Sequence, residues 1–358
     1  VVPGSGHARD STPESPERER HAPRPRHGRP HPSVAAIRYA VRTALDELSG
    51  HELTEDSLVL AAVSGGADSL ALAESLAFES RRTGRPAGAL VVDHGLQDGS
   101  AEVANRAALT CRELGLDPVE VLTVKVSGSG SGLEAAARDV RYAALERRAE
   151  ELGAAAVLLG HTQDDQAEQV LLGLTRGSGT RSLSGMPASR GRFVRPLLGV
   201  TREQTREACA AEGITFWDDP MNDDPRFTRV RARRALADLE RDLGPGIGAA
   251  LARSAEQLRA DADLLDVLAG QAREGLPDAP PYPVEALAAI PTALRGRVWR
   301  MLLVEAGAPA GSLGATHTDS CDLLLTRWRG QGPLHLPGDL RVSRETGRIH
   351  VRPVRRVE

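Results

Sequence analysis

Residues 58–78 read LVLAAVSGGADSLALAESLAF, and the change of rhythm inside them decides the fold. Leu58 to Val63 is a continuous apolar run without alternation, the pattern of a strand covered on both faces in a parallel sheet. Leu70, Ala73, Leu76 and Ala77 then recur at helical spacing. Between strand and helix the chain must turn through Ser64, Gly65, Gly66, Ala67, Asp68 and Ser69. The glycines permit positive φ and close backbone approach, and Ser64, Asp68 and Ser69 put polar side chains at the helix start. Free N–H groups at the positive end of a helix suit a phosphate. An ordinary N-capping turn could use the same six residues, but the position directly after a buried strand favours the phosphate reading. The loop is neither G-x-x-x-x-G-K-S/T nor G-x-G-x-x-G. It has no lysine; Lys125 is the only lysine in the chain.

A chain of 358 residues, 41% of them hydrophobic, can bury a large core and fits two folded parts. Its net charge of -4 provides no global positive field, so any nucleic-acid contact has to come from local patches. Cys111, Cys209 and Cys321 lie far apart, forming neither a disulfide framework nor a CxxC pair, which suits a reducing cytosol. No apolar run approaches the roughly 20 residues needed to cross a bilayer, and no signal-type apolar segment follows the N-terminus. A soluble, cytoplasmic protein is expected, with its oligomeric state left open. Heavy Arg and Ala usage with almost no Lys resembles the codon bias of a GC-rich genome, so a single Arg carries little information by itself.

Residues 1–32 hold almost no large apolar side chains and read as a disordered tail. Ile37 to Leu48 reads as a helix, and AGALVVDHGL as a second buried strand ending at Asp93 and His94. Helix 102–114, strand 118–126, the loop SGSGSG, helix 133–152 and strand AAAVLLGH continue the alternation. This order predicts an α/β fold with a doubly wound, mainly parallel sheet over residues 33–225. Helices over 202–212, 228–242 and 245–275 follow, with 226–275 as a helical linker. A Pro-rich break then opens a small α+β C-terminal domain over 276–358.

Ligands in such sheets sit past the carboxyl ends of the strands. SGGADS, DHGL and GHTQDDQAE all lie there, so all three should border one crevice. In GHTQDDQAE, His161, Asp165 and Glu168 are spaced to share one helix face, with Asp164 beside them. Carboxylates facing a phosphate loop repel unless a cation stands between, either Mg²⁺ on the phosphates or an amine substrate. An acidic first turn answering the helix dipole would explain one or two of the acids, but not His161. Glu134, Arg138 and Arg141 also share a helix face, either as a solvated face or with an Arg reaching a phosphate or carboxylate.

In this order, AVSGGADSLAL, VDHGLQ, LEAAARDVRY, GHTQDDQAEQVLLGLTRGSG, RPLL and WDDPMNDD resemble the PP-loop ATPases and, within them, the tRNA(Ile)-lysidine synthetases. LPGDLRVSRETGRIHV is similar, more weakly, to that family's substrate-binding domain. The resemblance implies an adenine nucleotide alpha hydrolase-like fold and a tRNA-modifying ligase. ATP would adenylate the wobble cytidine of a CAU-anticodon isoleucine tRNA, and free L-lysine would displace AMP to give lysidine. Carried over by motif, Ser64, Gly65, Gly66, Ala67, Asp68, Ser69 and His94 belong to the ATP site, with Asp68 a ligand for Mg²⁺. Arg138, His161, Asp165 and Glu168 match positions around the activated base and the incoming lysine, and with Asp68 form the candidate catalytic set. Val230 stands where the family has Asn after Arg229, and Gln169 where it commonly has Thr. The chain looks too short for the extra C-terminal domain of the family's longest form.

Two other readings share some features. A tRNA thiolase of the same superfamily would want cysteine pairs, which this sequence lacks. A nucleotide-binding sensor without chemistry would not need acidic and basic clusters meeting at one sheet edge.

Overall fold

The computed structural model describes residues 28–49, 53–93, 95, 99–124, 133–176 and 179–354. The expected tail up to residue 27, His94 and the SGSGSG loop lie outside the described residues.

Strand β1 (Val59–Val63) runs between β2 (Ala87–Asp93) and β4 (Ala156–Leu159), parallel to both, with Val59 level with Ala87 on one side and Ala156 on the other. β3 (Val119–Thr123) pairs parallel with β2. On the far side, β6 (Phe193–Val194) pairs parallel with β4 and antiparallel with β5 (Ser189–Arg190). Among the described residues the sheet order is β3-β2-β1-β4-β6-β5. The expected doubly wound, mainly parallel sheet is therefore present, and its antiparallel edge is the addition. Two-residue strands have no period, so sequence reading had nothing to find there.

Alternation divides the core into two layers. Val59, Ala61, Ala89 and Val91 face α1 (Pro32–Ser49), α2 (Ala67–Thr83), α3 (Ser100–Glu113) and α7 (Arg202–Glu212). Leu60, Leu90 and Leu158's neighbour Leu159 face the opposite layer with Leu145 of α4 (Leu133–Glu151) and Phe193. Leu60 is fully buried, and a side chain of that size contributes about 1.5–3 kcal/mol on burial. Within the first layer, α1 also fixes α2 electrostatically. Arg38 pairs with Glu74, and Arg42 meets Glu79 at 2.7 Å, both carboxylates being buried. Burial pushes Glu79 up, but Arg42 and Arg82 outweigh it and hold its carboxyl below the usual range.

α5 (Gln163–Thr175) follows β4, and α6 (Thr180–Leu183) and α8 (Thr228–Leu243) pack on it. The long α9 (Ile247–Glu274) lies along all three and reaches α11 (Thr292–Glu305). Ala255, Ala262 and Ala269 are fully buried on it at seven-residue intervals, one face of small side chains that lets neighbouring helices approach closely. Beyond it, β7 (Tyr282–Pro283) leads into α10 (Val284–Ala289), then α11 and α12 (Ala315–Thr326). β8 (Leu334–Leu336), β9 (Leu340–Glu345) and β10 (Arg348–Pro353) complete an antiparallel sheet of order β7-β10-β9-β8. Leu340, Val342, Ile349 and Val351 point from it into a separate core around Trp299. No helix among the described residues is long and apolar enough to cross a membrane.

Candidate active site at the carboxyl edge of the parallel sheet

The turn after β1 is held shut by its own serines. Ser69 Oγ donates to the Gly66 carbonyl at 2.9 Å and accepts from the Ser64 N–H at 3.1 Å. Gly65 adopts φ +86°, and a Cβ there would press on the Val103 side chain at 3.1 Å. Gly66 precedes α2 in extended conformation, and no side chain caps the helix. The first N–H groups of a helix have no partner within it, so this uncapped start keeps donors available to an anion. Gly160, at the end of β4, closes the other side. A Cβ on it would come within 3.1 Å of the Asp68 carbonyl and the Ser69 nitrogen, so glycine lets the end of β4 pack against the first turn of α2. The Trp217 N–H donates to the Gly65 carbonyl at 2.9 Å, bringing the WDDP segment against the loop.

These segments enclose a cleft of about 1000 Å³. Ser64, Gly66, Ala67, Asp68, Ser69, Arg138, His161, Asp165 and Glu168 all line it, together with Val92 from the end of β2. Gly65 faces away toward α3. Arg141, Arg202, Arg206, Arg229 and Arg233 line it too, so arginines from three helices, α4, α7 and α8, face the carboxylates.

The carboxylates show which cation stands between them. Arg202, the first residue of α7, places Nη2 3.0 Å from Asp165 Oδ1, Nε 3.5 Å from Asp68 Oδ2 and Nη1 3.6 Å from Glu168 Oε1. Arg233 Nε donates to Glu168 Oε1 at 2.8 Å. The alternative of Mg²⁺ or an amine, drawn from the sequence, left out an arginine of the chain itself. Asp165 also caps its own helix, Oδ2 accepting from the Thr162 N–H at 2.8 Å, so capping and ion pairing share one carboxylate. His161 lies just before α5, so it meets the acids from the strand end and not from a shared helix face.

Burial and neighbours push these groups apart. Burial raises Asp68, with the Thr205 hydroxyl and Arg202 opposing it. Burial also pushes Asp165 up, but Arg202 and the Thr162 N–H outweigh it and hold the carboxyl below its usual range. Glu168 is raised, by burial first and by Asp165 second. Burial, reinforced by Arg141, Arg195 and Arg138, pushes His161 down to about 3 against the pull of Asp165. The imidazole is neutral at physiological pH, and its Nδ1 and Glu168 Oε2 are buried without hydrogen-bond partners among the described residues. Behind them, Arg195 donates to Tyr142 Oη at 3.2 Å, and the Arg138 and Arg141 guanidiniums lie 5.3 and 5.7 Å from the Tyr142 ring centre.

Sequence reading did not place Arg202, Arg233, Thr205, Tyr142 or Arg195 in this site. One signal was available for Arg202. Thr201 and Gln204 form a capping box that fixes Arg202 at the positive end of a helix dipole, a poor place for a cation unless carboxylates hold it.

An uncapped SGGADS turn opening into a cleft at the strand ends defines a PP-loop protein, and a family model described as PP-loop domain matches residues 38–240. A second, described as TilS substrate binding domain, matches residues 283–350. The chain is 50% identical to a tRNA(Ile)-lysidine synthase of Streptomyces coelicolor, over 90% of this chain and 99% of that protein. It is 52% identical to one from Thermobifida fusca, over 90% and 98% respectively. The chain belongs to the tRNA(Ile)-lysidine synthase family, a family of enzymes. Among solved structures, the U34-tRNA thiolase NcsA from Methanococcus maripaludis with its [4Fe-4S] cluster has a TM-score of 0.51 at 20% identity, over 63% of this chain and 79% of that one. That likeness is one of fold. Cys111, Cys209 and Cys321 are all buried and unbonded, and burial pushes each thiol up to about 12.

Proposed function

We propose that this enzyme joins free L-lysine to carbon 2 of the wobble cytidine in a CAU-anticodon isoleucine tRNA, using ATP. The observation that carries the reading is the pairing, in one cleft, of an uncapped phosphate-binding turn with a buried acid and imidazole cluster, in a chain half identical to tRNA(Ile)-lysidine synthases. In the first step the cytidine O2 attacks the α-phosphorus of ATP and pyrophosphate leaves. In the second, the lysine amine attacks carbon 2, loses a proton, and the C–O bond breaks to release AMP.

Ser64, Gly66, Ala67, Asp68 and Ser69 receive the phosphates through the α2 N-terminus. Mg²⁺ would arrive with ATP, since no cluster of three metal-ligating side chains exists among the described residues. Asp68, about a quarter exposed to the cleft, would be its carboxylate ligand, with phosphate oxygens of the nucleotide supplying the other charge. Bound there, Mg²⁺ neutralises phosphate charge. Arg138 and Arg141, backed by Tyr142, attract the anionic groups of the adenylated tRNA. Asp165 and Glu168 hold the lysine ammonium by charge-assisted hydrogen bonds. Neutral His161, with Nδ1 unpartnered, offers a hydrogen-bond acceptor to the reacting base or amine.

Residues 33–225 form the catalytic domain in this reading, 226–275 the helical connection and 276–358 the part that holds tRNA. On the C-terminal sheet, His335 is level with Arg341 and Arg341 with Arg352, so three basic side chains cross one face in a row. The two guanidiniums directly opposite repel, and Glu345, 3.5 Å from Arg352, answers only one of them, which supports a phosphate contact at Arg341. The test is incubation of the purified protein with ATP, Mg²⁺, lysine and total tRNA, followed by mass analysis of nucleosides. Lysidine that depends on both ATP and lysine is expected. Its absence, or sulfur incorporation when a sulfur donor is supplied, would refute the reading.

A further inference from the structure

The two half-sites of the proposed reaction share one cation. Arg202 reaches carboxylates on both walls, and only its contact with Asp165, at 3.0 Å, has hydrogen-bond length. The contacts with Asp68 and Glu168, at 3.5 and 3.6 Å, are looser ion pairs. Its backbone is anchored, the N–H donating to Asp164 Oδ2 at 2.8 Å, so the side chain is the part free to exchange partners. Glu168, 1% exposed, keeps one oxygen with no partner among the described residues, so the cluster has unused accepting capacity.

We propose that Arg202 is a positioning residue that stands where the substrate ammonium will stand, and that lysine binds by competing with it for Asp165 and Glu168. The inference rests on those two acids being the partners of the amine. Arg233 answers Glu168 at 2.8 Å, but Asp165 and Glu168 together still repel each other and take up protons without a second cation, so the cleft needs Arg202 as an internal counter-charge before lysine arrives. That counter-charge must also be movable. Asp68 lies on the phosphate wall, so a guanidinium displaced from the α5 acids swings toward the nucleotide, whose phosphates it can pair with bidentately. Arrival of the amine in one half-site thereby strengthens the grip on phosphate in the other.

Calorimetric titration of lysine into the full chain tests this with Arg202→Met and Arg202→Lys. The methionine variant removes the charge while keeping an unbranched side chain, and should bind lysine about tenfold more tightly. The lysine variant keeps a competing cation and should stay within about twofold of the unaltered protein. Weaker or unchanged lysine binding in Arg202→Met overturns the proposal, since the guanidinium would then hold substrate or play no part. Should that variant not fold, Asp68→Asn carries the test from the other wall. With one alternative partner gone, Arg202 sits more firmly on the α5 acids, and lysine should bind about threefold more weakly; unaltered affinity there overturns the proposal. Failure of the amine-site reading itself has a different signature, an unaltered protein that takes up no lysine while still releasing pyrophosphate with tRNA.

Discussion

Two stretches of this chain are rich in arginine and treat it differently. In residues 226–234, acceptors of the chain itself answer most guanidiniums. Arg226 pairs with Asp224, Arg231 with the carbonyls of Pro225 and Arg226, Arg233 with Glu168 and Arg234 with the Asp223 carbonyl. On β9 and β10, Arg341 and Arg352 stand level on one exposed face, and the nearest carboxylate, Glu345, is 3.5 Å from Arg352. The first cluster is held by the chain's own carboxylates and carbonyls; on the sheet Arg344 and Arg348 are held likewise by the Leu324 and Pro281 carbonyls, while Arg341 and Arg352 present charge outward. Arginine density therefore does not identify a nucleic-acid surface. What identifies it is whether the protein has already supplied the acceptors.

The comparison breaks most decisively at Asp68. If the cleft cations serve chemistry and the sheet cations serve binding, Asp68→Asn should cut ATP-dependent pyrophosphate release at least about a hundredfold while tRNA affinity holds. Loss of tRNA affinity with release intact would reverse the assignment. A smaller effect is expected at the acids opposite. Asp165→Asn or Glu168→Gln each remove a charge-assisted hydrogen bond, raising the lysine requirement about ten- to a hundredfold and the ATP requirement much less. A raised Mg²⁺ or ATP requirement with unchanged lysine dependence would make these acids metal or nucleotide ligands.

Smaller again is the sheet. Arg341→Ala with Arg352→Ala should weaken tRNA binding several-fold to about tenfold and lower the salt slope by about 1 to 2, leaving pyrophosphate release at saturating tRNA unchanged. Cutting the chain after Gly275 would be a poorer test, because Ala269 and Leu276 belong to the core of the C-terminal part. A separate effect falls on acid stability. His161, at about 3 in the fold against 6.5 unfolded, contributes stability that is present above pH 6.5 and lost as pH falls toward 3. His161→Gln should flatten that part of the unfolding curve, measured by denaturant titration at several pH values; an unchanged curve would mean the imidazole is not held neutral.

The parallel sheet was legible because β1, β2 and β4 are covered on both faces and read as unbroken apolar runs, and the phosphate turn because glycine follows such a run directly. The members of the acid cluster were legible as well, from their spacing. Their counter-charge was not. Arg202 meets Asp68 only because α7 packs against α2, a contact between segments far apart in sequence, and in so Arg-rich a chain one more arginine carries no mark. The β5–β6 edge was beyond reach for a simpler reason, since its pairing is set by β4 and not by its own residues.

The alanine face of α9 turns this helix into a gauge. Its 28 residues make a rod of about 42 Å, bedded at one end against α5, which carries Asp165 and Glu168, and at the other against α11 of the C-terminal core. A tRNA segment gripped by the outer sheet, as proposed above, would thus be offered to the cleft at a set distance and angle. A larger side chain at Ala262 would push the rod off its bed and misalign grip and cleft without altering a residue of either, so substrate length would be misread while ATP and lysine were still bound.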